Sequence, residues 1–482
     1  MGGTRANVVS AAEELWQRTR PERRPLLLFA GAVMSVVALG AAIGTVDRTG
    51  LVLGGLALVV ILSVILSRLE VAVAVLAATF YFNAYVNHGV GILTIDKGIG
   101  LLAVAAWLLD WTVNRRQVLG TRQLWLIGAF LLWSALSMVV AVNEKAAFVE
   151  WLRYVTFGTL FFLVIQTVRG DRRRADALVR LVVVAAAVAS VIGLVAVLDH
   201  HVARASGPIQ DPNDFGFVLG STAPLAIYQV RWAATAWAKA LWSAGLVLIL
   251  ACTLATFSRD ALTGLAVAGL WALVTGRLRL RWLLAVLAGA AAVTGLALLI
   301  TPKLVRSDFD QKTFIAGRNI DVRFGYYHVE FDEFAHNPIT GVGPGNFVYR
   351  FFQFAPQVNQ SLPHPSNVLT ISGEEAYLVI LAETGAPGLA LFLGYLALSW
   401  TDLRRHFPHD RRTDQLQGAL AAGFLAACVG ALFVTEQYYP PLWFLPAIAA
   451  SLATSGPGPG PDDLGVTAEH LDGATAVPAI HR

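Results

Sequence analysis

Charged side chains are scarce in this chain. Asp, Glu, Lys and Arg make up 14% of its 482 residues, whereas a soluble domain carries about a quarter. That shortage, beside a 56% share of hydrophobic residues, excludes a water-soluble globular class and points to a polytopic membrane protein. Cysteine is nearly missing too: Cys252 and Cys428 are the two in the chain, and each lies inside an apolar run. Two buried thiols exclude a disulfide framework and a cysteine-rich metal site. The excess of positive charge is small, +4 at pH 7. Its carriers sit in short loops between apolar runs and not along one face, which excludes a nucleic-acid partner.

What the chain does have is a succession of apolar blocks of about 17–25 residues, the length that crosses a hydrocarbon core of about 30 Å. They predict an all-α fold of about 12–14 transmembrane helices. The spans are read at 25–46, 50–67, 70–86, 98–113, 123–142, 151–168, 177–198, 214–231, 237–257, 260–276, 281–300, 376–400, 414–434 and 439–455. Residues 1–24 form a polar leader with Arg18, Arg20, Arg23 and Arg24 and no clear cleavage site, so the first apolar run reads as a retained helix. Residues 456–482 open with a Pro- and Gly-dense stretch that reads as a disordered extension. Basic residues orient the whole. The leader, Arg115 and Arg116, the run from Arg169 to Arg180, Arg277 to Arg281, and Arg404 to Arg412 all fall on one side. That side is expected to be cytoplasmic, with both termini. The chain then divides into helices 1–11 over 25–300, an extracytoplasmic catalytic loop over 301–373, helices 12–14 over 374–455, and the two ends.

The loop from Thr301 to Gly373 is mostly polar and too long for a connector. It holds Arg306, Arg318, Arg323, Arg350, His328, His336 and His364. From Arg323 to Asn337, Phe324, Tyr327, Phe331 and Phe334 recur at helical spacing until Pro338. This predicts an amphipathic helix on the membrane surface with Arg323, Glu330 and Glu333 among its polar residues. A glycine-rich turn, Gly341 to Phe347, follows, then an aromatic stretch, Phe347 to Phe354, expected to re-enter the interface.

Three further polar groups fall on the same outward side. Arg204 precedes Asp211-Pro212-Asn213-Asp214, a turn and helix-start signal. Ser258-Arg259-Asp260 joins two apolar spans, where an arginine must be paired or face water. Asp260 is either its partner or the cap of the next helix, which would leave Arg259 to bind an anion. Glu374 and Glu375 head the twelfth span, and Glu383 lies within it, where a carboxylate is functional or specifically paired. Arginine forks suit phosphate oxygens, and a nearby carboxylate or histidine can deprotonate a hydroxyl. The pattern suits group transfer from a lipid-linked phosphate to an alcohol.

At these residues the chain resembles the O-antigen ligase and O-antigen polymerase superfamily, over roughly Arg204 to Leu398. The resemblance rests on Ser258-Arg259 at a span end, Arg323 with Tyr327 four residues on, Pro338, the turn Gly341-x-Gly343-x-Gly345-x-Phe347, and Asp211-Pro212-Asn213. One position departs. The family places a histidine, then Asn, Ser or Gln, nine residues and Gly-x-x-Gly; counting back from Gly385 and Gly388 puts Glu374 and Glu375 there. Either Glu374 acts as a carboxylate base, or His364 reaches the site from upstream, or the activity is lost or changed.

The resemblance implies a glycosyltransferase of the bacterial inner membrane, acting in surface-polysaccharide biosynthesis without metal or other cofactor and inverting the anomeric centre. It implies an undecaprenyl-diphosphate-linked oligosaccharide or polysaccharide as donor and a glycan, lipid or protein hydroxyl as acceptor. Arg259 and Arg323 would hold the diphosphate, with Arg318, Arg204 and Asn213 as further substrate-binding candidates and Glu374 or His364 as the base. A flippase or transporter of lipid-linked sugars and a non-catalytic assembly component are the competing classes. Against the transporter, the chain shows no paired interrupted spans or related halves.

Overall fold

The computed structural model describes residues 66, 68–82, 89–90, 93–199, 204–209, 211–279, 281, 323–354, 375–435 and 437–454. The leader, the tail, the span expected at 25–46 and nearly all of 50–67 and 281–300 lie outside the described residues. The chain is an all-α polytopic membrane protein. Its helices are α1 (Leu69–Thr79), α2 (Ile95–Asn114), α3 (Arg122–Ser137), α4 (Glu144–Val168), α5 (Arg172–Leu198), α6 (Pro212–Arg231) and α7 (Ala236–Ala255). They continue with α8 (Arg259–Val274), α9 (323–336), α10 (Phe347–Phe354), α11 (Ala376–Leu403), α12 (Arg411–Gly430) and α13 (Pro441–Thr454). A two-residue antiparallel pairing of Gly89–Val90 with Leu93–Thr94 precedes α2. Among the described residues 5 helices are long and apolar enough to cross a membrane: α3 with its 3-10 extension to Val140, α4, α5, α7 and α11.

Caps set the helix starts, and they shift the expected edges. The sixth span was expected to open at 151. Instead the Asn143 side chain accepts from Ala146 N at 3.0 Å and α4 opens at Glu144. A capped polar first turn is stable beyond the apolar run, which hydropathy does not register. Asp171, Thr235, Ser258 and Asp410 cap α5, α7, α8 and α12 in the same manner. Asp211 caps α6, accepting from Asn213 N at 2.6 Å and Asp214 N at 3.2 Å, with Pro212 in the first turn where its missing N–H costs nothing.

The bundle centres on α13, which is buried on nearly every side because it is apolar all round. Trp443 stacks on Tyr395 at 5.1 Å and lies near Phe392, tying α13 to α11. Helix α6 packs against α7, α8 and α12, while α11 packs on α3 and α4 on α13. At one end of the bundle Asp176 is buried and receives Arg412 at 2.9 Å, Arg172 at 3.2 Å and the Tyr228 hydroxyl at 2.6 Å. A buried carboxylate so fully satisfied fixes the register of α5, α6 and α12 there. The opposite end carries α9 and α10.

Helix α9 keeps its aromatic side outside, as the amphipathic reading has it, but its polar side meets protein. Glu330 and Glu333, read from the sequence as polar surface residues, are each 0% exposed, whereas Phe324 and Phe331 are each 56% exposed. Tyr326 and Val329 turn inward with the two carboxylates and pack on Phe347 and Phe351 of α10. The physical reason is the surroundings: a helix beside lipid can leave aromatic rings outside, and its polar side then faces the protein. The aromatic stretch of α10, expected to re-enter the interface, thus packs through Phe347 and Phe351 on the inner side of α9.

Candidate functional site

At the end of the bundle that carries α9, three separate parts of the chain converge. The Arg204 guanidinium donates from Nε to Thr256 O at 2.8 Å and from Nη2 to Asn213 Oδ1 at 2.7 Å. It thereby ties the loop before α6, the first turn of α6 and the end of α7. Arg323, at the start of α9, donates from Nη1 to Phe433 O at 3.0 Å, which anchors α9 to the turn after α12. Asp260 is buried in the first turn of α8 and interacts electrostatically with both Arg323 and Arg204. Ser258 caps α8 through Ala261 N at 3.3 Å and also donates to Asp260 Oδ2 at 3.2 Å. Phe257 takes a left-handed backbone (φ 50) that turns the chain sharply into this cap. Ser258, not Asp260, is the N-cap of α8, and among the described residues the charges beside Asp260 are those of Arg323 and Arg204. Arg259 itself is exposed.

Beside this cluster the glycine-rich turn locks into α11. The backbone of Gly385 (φ 69, ψ −176) breaks α11, and Ala386 N donates to Pro338 O at 2.9 Å. Val342 N and Gly343 N donate to Ala382 O and Glu383 O, each at 2.9 Å, so the turn satisfies the carbonyls freed by the break. A Cβ on Gly341 would strike the Glu383 backbone, and one on Gly385 would strike Ile339 O. Only glycine permits both the left-handed φ and the approach. Ser137 donates to Glu383 O at 3.0 Å and Trp133 Nε1 to Thr384 O at 2.8 Å, which brings α3 into the same joint.

Carboxylates line the inner side of that joint. Glu383 is 3% exposed, with the backbone N–H groups of Gly345 and Phe347 and the charges of Glu150 and Arg153 beside it. Burial pushes the Glu333 carboxyl up to about 9; facing Glu383 adds to the rise and Arg350 opposes it. Glu375 caps α11 by accepting from Tyr377 N at 3.2 Å and from Leu378 N. Burial moves its carboxyl up to about 7 against the pull of those two N–H groups. With its oxygens committed to the helix, Glu375 serves as the cap where the family pattern has Asn, Ser or Gln.

The structure thus brings together Arg204, Asn213 and Arg323, with Arg259 exposed on the adjoining turn. Arg318, His364 and Glu374 lie outside the described residues. Residues given no role from the sequence share this end: Glu150, Arg153, Gln437, Tyr438 and Tyr439. The signal that marks them is a Glu-x-x-Arg pair in the first turns of an apolar helix and a tyrosine pair in a short loop between spans. Among the described residues no group of three His, Cys, Asp or Glu side chains has the arrangement of a metal site.

Fold and site together define a multi-pass helical membrane protein with a polar arginine-rich site at one end of the bundle. Residues 244–393, about a third of the chain, match the O-antigen ligase family, which supports a place in the O-antigen ligase and polymerase superfamily. At family level this means surface-polysaccharide biosynthesis with lipid-linked glycan donors. The match includes Arg259 and Arg323 and leaves Arg204 and Asn213 outside it. No curated protein matches the chain.

Proposed function

We propose that the protein is a glycosyltransferase that moves a glycan from an undecaprenyl-diphosphate carrier to an acceptor hydroxyl. The reaction is assigned to the outer face of the bacterial inner membrane, with both termini cytoplasmic and 301–373 as the catalytic loop. The observation that carries this reading is the meeting of Arg204 and Arg323 around Asp260 at one helix end. Both guanidinium groups are steadied by backbone carbonyls, and Asp260 supplies the counter-charge that lets them stand together beside apolar helices. A diphosphate meeting them gains charge-assisted bonds in fork geometry.

In the proposed step the acceptor oxygen attacks the anomeric carbon from the face opposite the diphosphate. The new C–O bond forms as the bond to phosphate oxygen breaks, inverting the centre. The electron pair leaves on the diphosphate and the hydroxyl proton passes to the base, Glu374 or else His364. Charge grows on the leaving oxygens, so donors fixed beforehand stabilise the transition state more than the ground state. Arg323, Arg204 and Arg259, with Arg318, take this part, and no metal is needed for it; Asn213 orients Arg204. The break in α11 is the kind of feature transporters use, but here the glycine-rich turn fills it.

The test is transfer in membranes containing the full chain and lipid-linked donor, followed as lengthened or ligated glycan. Product that disappears in Arg323→Ala supports the reading. Sugar crossing the bilayer without any new glycosidic bond would replace it with a flippase.

A further inference from the structure

We infer that Tyr438, Arg153 and Glu150 form a sugar subsite that holds the glycan chain of the lipid-linked donor beyond its diphosphate. The inference rests on the proposed transferase reading and adds to it a determinant of the glycan. Arg153 is 51% exposed on its side chain, donates to Glu150 Oε2 at 2.9 Å and lies 5.9 Å over the Tyr438 ring. Tyr438 in turn packs at 4.7 Å on Tyr154, which is fully buried. The outcome is a ring packed on Tyr154, with the planar Arg153 guanidinium over it and the Glu150 carboxylate paired to that guanidinium.

As an isolated i,i+3 pair on a helix, Glu150 and Arg153 would contribute little. Three observations set this pair apart. Its arginine rests on an aromatic ring that belongs to a different part of the chain. Gln437, next to that ring, is 0% exposed, and its amide meets the Tyr154 hydroxyl, which backs the tyrosine pair from inside the bundle. The third observation is continuity with the arginine cluster. Tyr439, adjacent to Tyr438, donates to Asp214 Oδ2 at 2.9 Å, and Asp214 follows Asn213, the partner of Arg204.

A sugar offers an apolar C–H face and a rim of hydroxyls. An aromatic platform takes the face, while fixed carboxylate and guanidinium groups take the rim. A diphosphate at Arg204 and Arg323 would send its first sugar past Asp214 and Tyr439, and the next onto Tyr438 between Arg153 and Glu150.

The test uses the full chain in nanodiscs and two probes: lipid-linked glycan extracted from the host's membranes, and undecaprenyl diphosphate without glycan. Wild type should bind the first at least about tenfold tighter than the second, the part due to sugar contacts. Arg153→Ala and Tyr438→Leu should each close that gap to within about twofold and leave binding of the bare carrier unchanged. Tyr438→Phe should keep the gap, because the ring supplies the platform. If Tyr438→Leu does not fold, Arg153→Ala and Glu150→Gln decide, since Arg153 contributes little to the core. A gap that survives these changes, or bare-carrier binding that falls equally, overturns the subsite. So does a wild type without any gap, even if it transfers glycan. A wild type that shows the gap and makes no glycosidic bond overturns the transferase reading and leaves the subsite standing.

Discussion

Replacing Glu333 by glutamine should make the protein more stable at neutral and alkaline pH. Its carboxyl is 0% exposed, neither oxygen has a hydrogen-bond partner among the described residues, and it faces Glu383. Burial raises its pKa from 4.5 to about 9. The native state therefore holds a proton that the unfolded chain releases above about pH 4.5, and stability falls as pH rises until the native group also ionises near 9. One proton of difference is worth about 1.36 kcal/mol per pH unit, so between pH 6 and pH 8 wild type should lose about 2.7 kcal/mol through this residue. Glutamine is neutral at every pH and removes that slope. The assay is the thermal unfolding midpoint in nanodiscs, read by tryptophan fluorescence at pH 6, 7 and 8. Wild type should drift downward by several degrees more than Glu333→Gln, with the two curves converging toward acid. Parallel curves, or a variant less stable than wild type at pH 8, would show that Glu333 is ionised in the fold and refute the argument.

Arg323→Ala and Arg204→Ala should each lower turnover at least about a hundredfold, since losing one donor to a growing oxyanion costs about 2.7–4 kcal/mol. Lysine should restore only part, lacking the fork; Arg259→Ala belongs to the same series, and near-normal turnover in any member removes that residue from the site. Glu374→Gln should abolish most transfer while donor binding persists; if it stays active and His364→Ala does not, His364 is the base. Gly385→Ala and Gly341→Ala should each cost about 1–2 kcal/mol for a left-handed backbone and about 1–3 kcal/mol for the collision with backbone. The readout is the monodisperse fraction after detergent extraction, and wild-type yields in both variants would contradict the joint.

Much of the candidate site is legible in the chain as a set of residues, less so as a set of partnerships. Asp211-Pro212-Asn213 reads as a helix start and is one, because a cap needs only its own next few N–H groups. Arg204 and Asp260 are visible as charges, but that they share surroundings with Arg323 requires chain segments on either side of several helices to meet. Glu383 stands out as a carboxylate within a span. The glycine turn that covers it from more than thirty residues upstream does not, since Gly341 and Gly385 look like two separate turn signals. Glu150 falls outside the span expected at 151–168, because Asn143 caps a polar turn that hydropathy counts as loop.

The sequence by itself determined the membrane class, the helical period of 323–336 and the order of polar groups along the chain. These follow from local quantities: the length of an apolar run, the spacing of aromatic rings, a cap beside its own helix. The tertiary structure decided which way the polar groups face. Periodicity gives α9 two sides without saying which meets protein; beside lipid the aromatic side can remain outside, so Glu330 and Glu333 turn inward. It decided likewise that Asp260 meets Arg204 and Arg323, and that Tyr438 lies under Arg153, because these pairs exist only once α4, α6, α8, α9 and the loop after α12 pack at one end. Contacts between distant segments depend on how helices cross, and crossing is set by packing of the whole bundle rather than by any one stretch of residues.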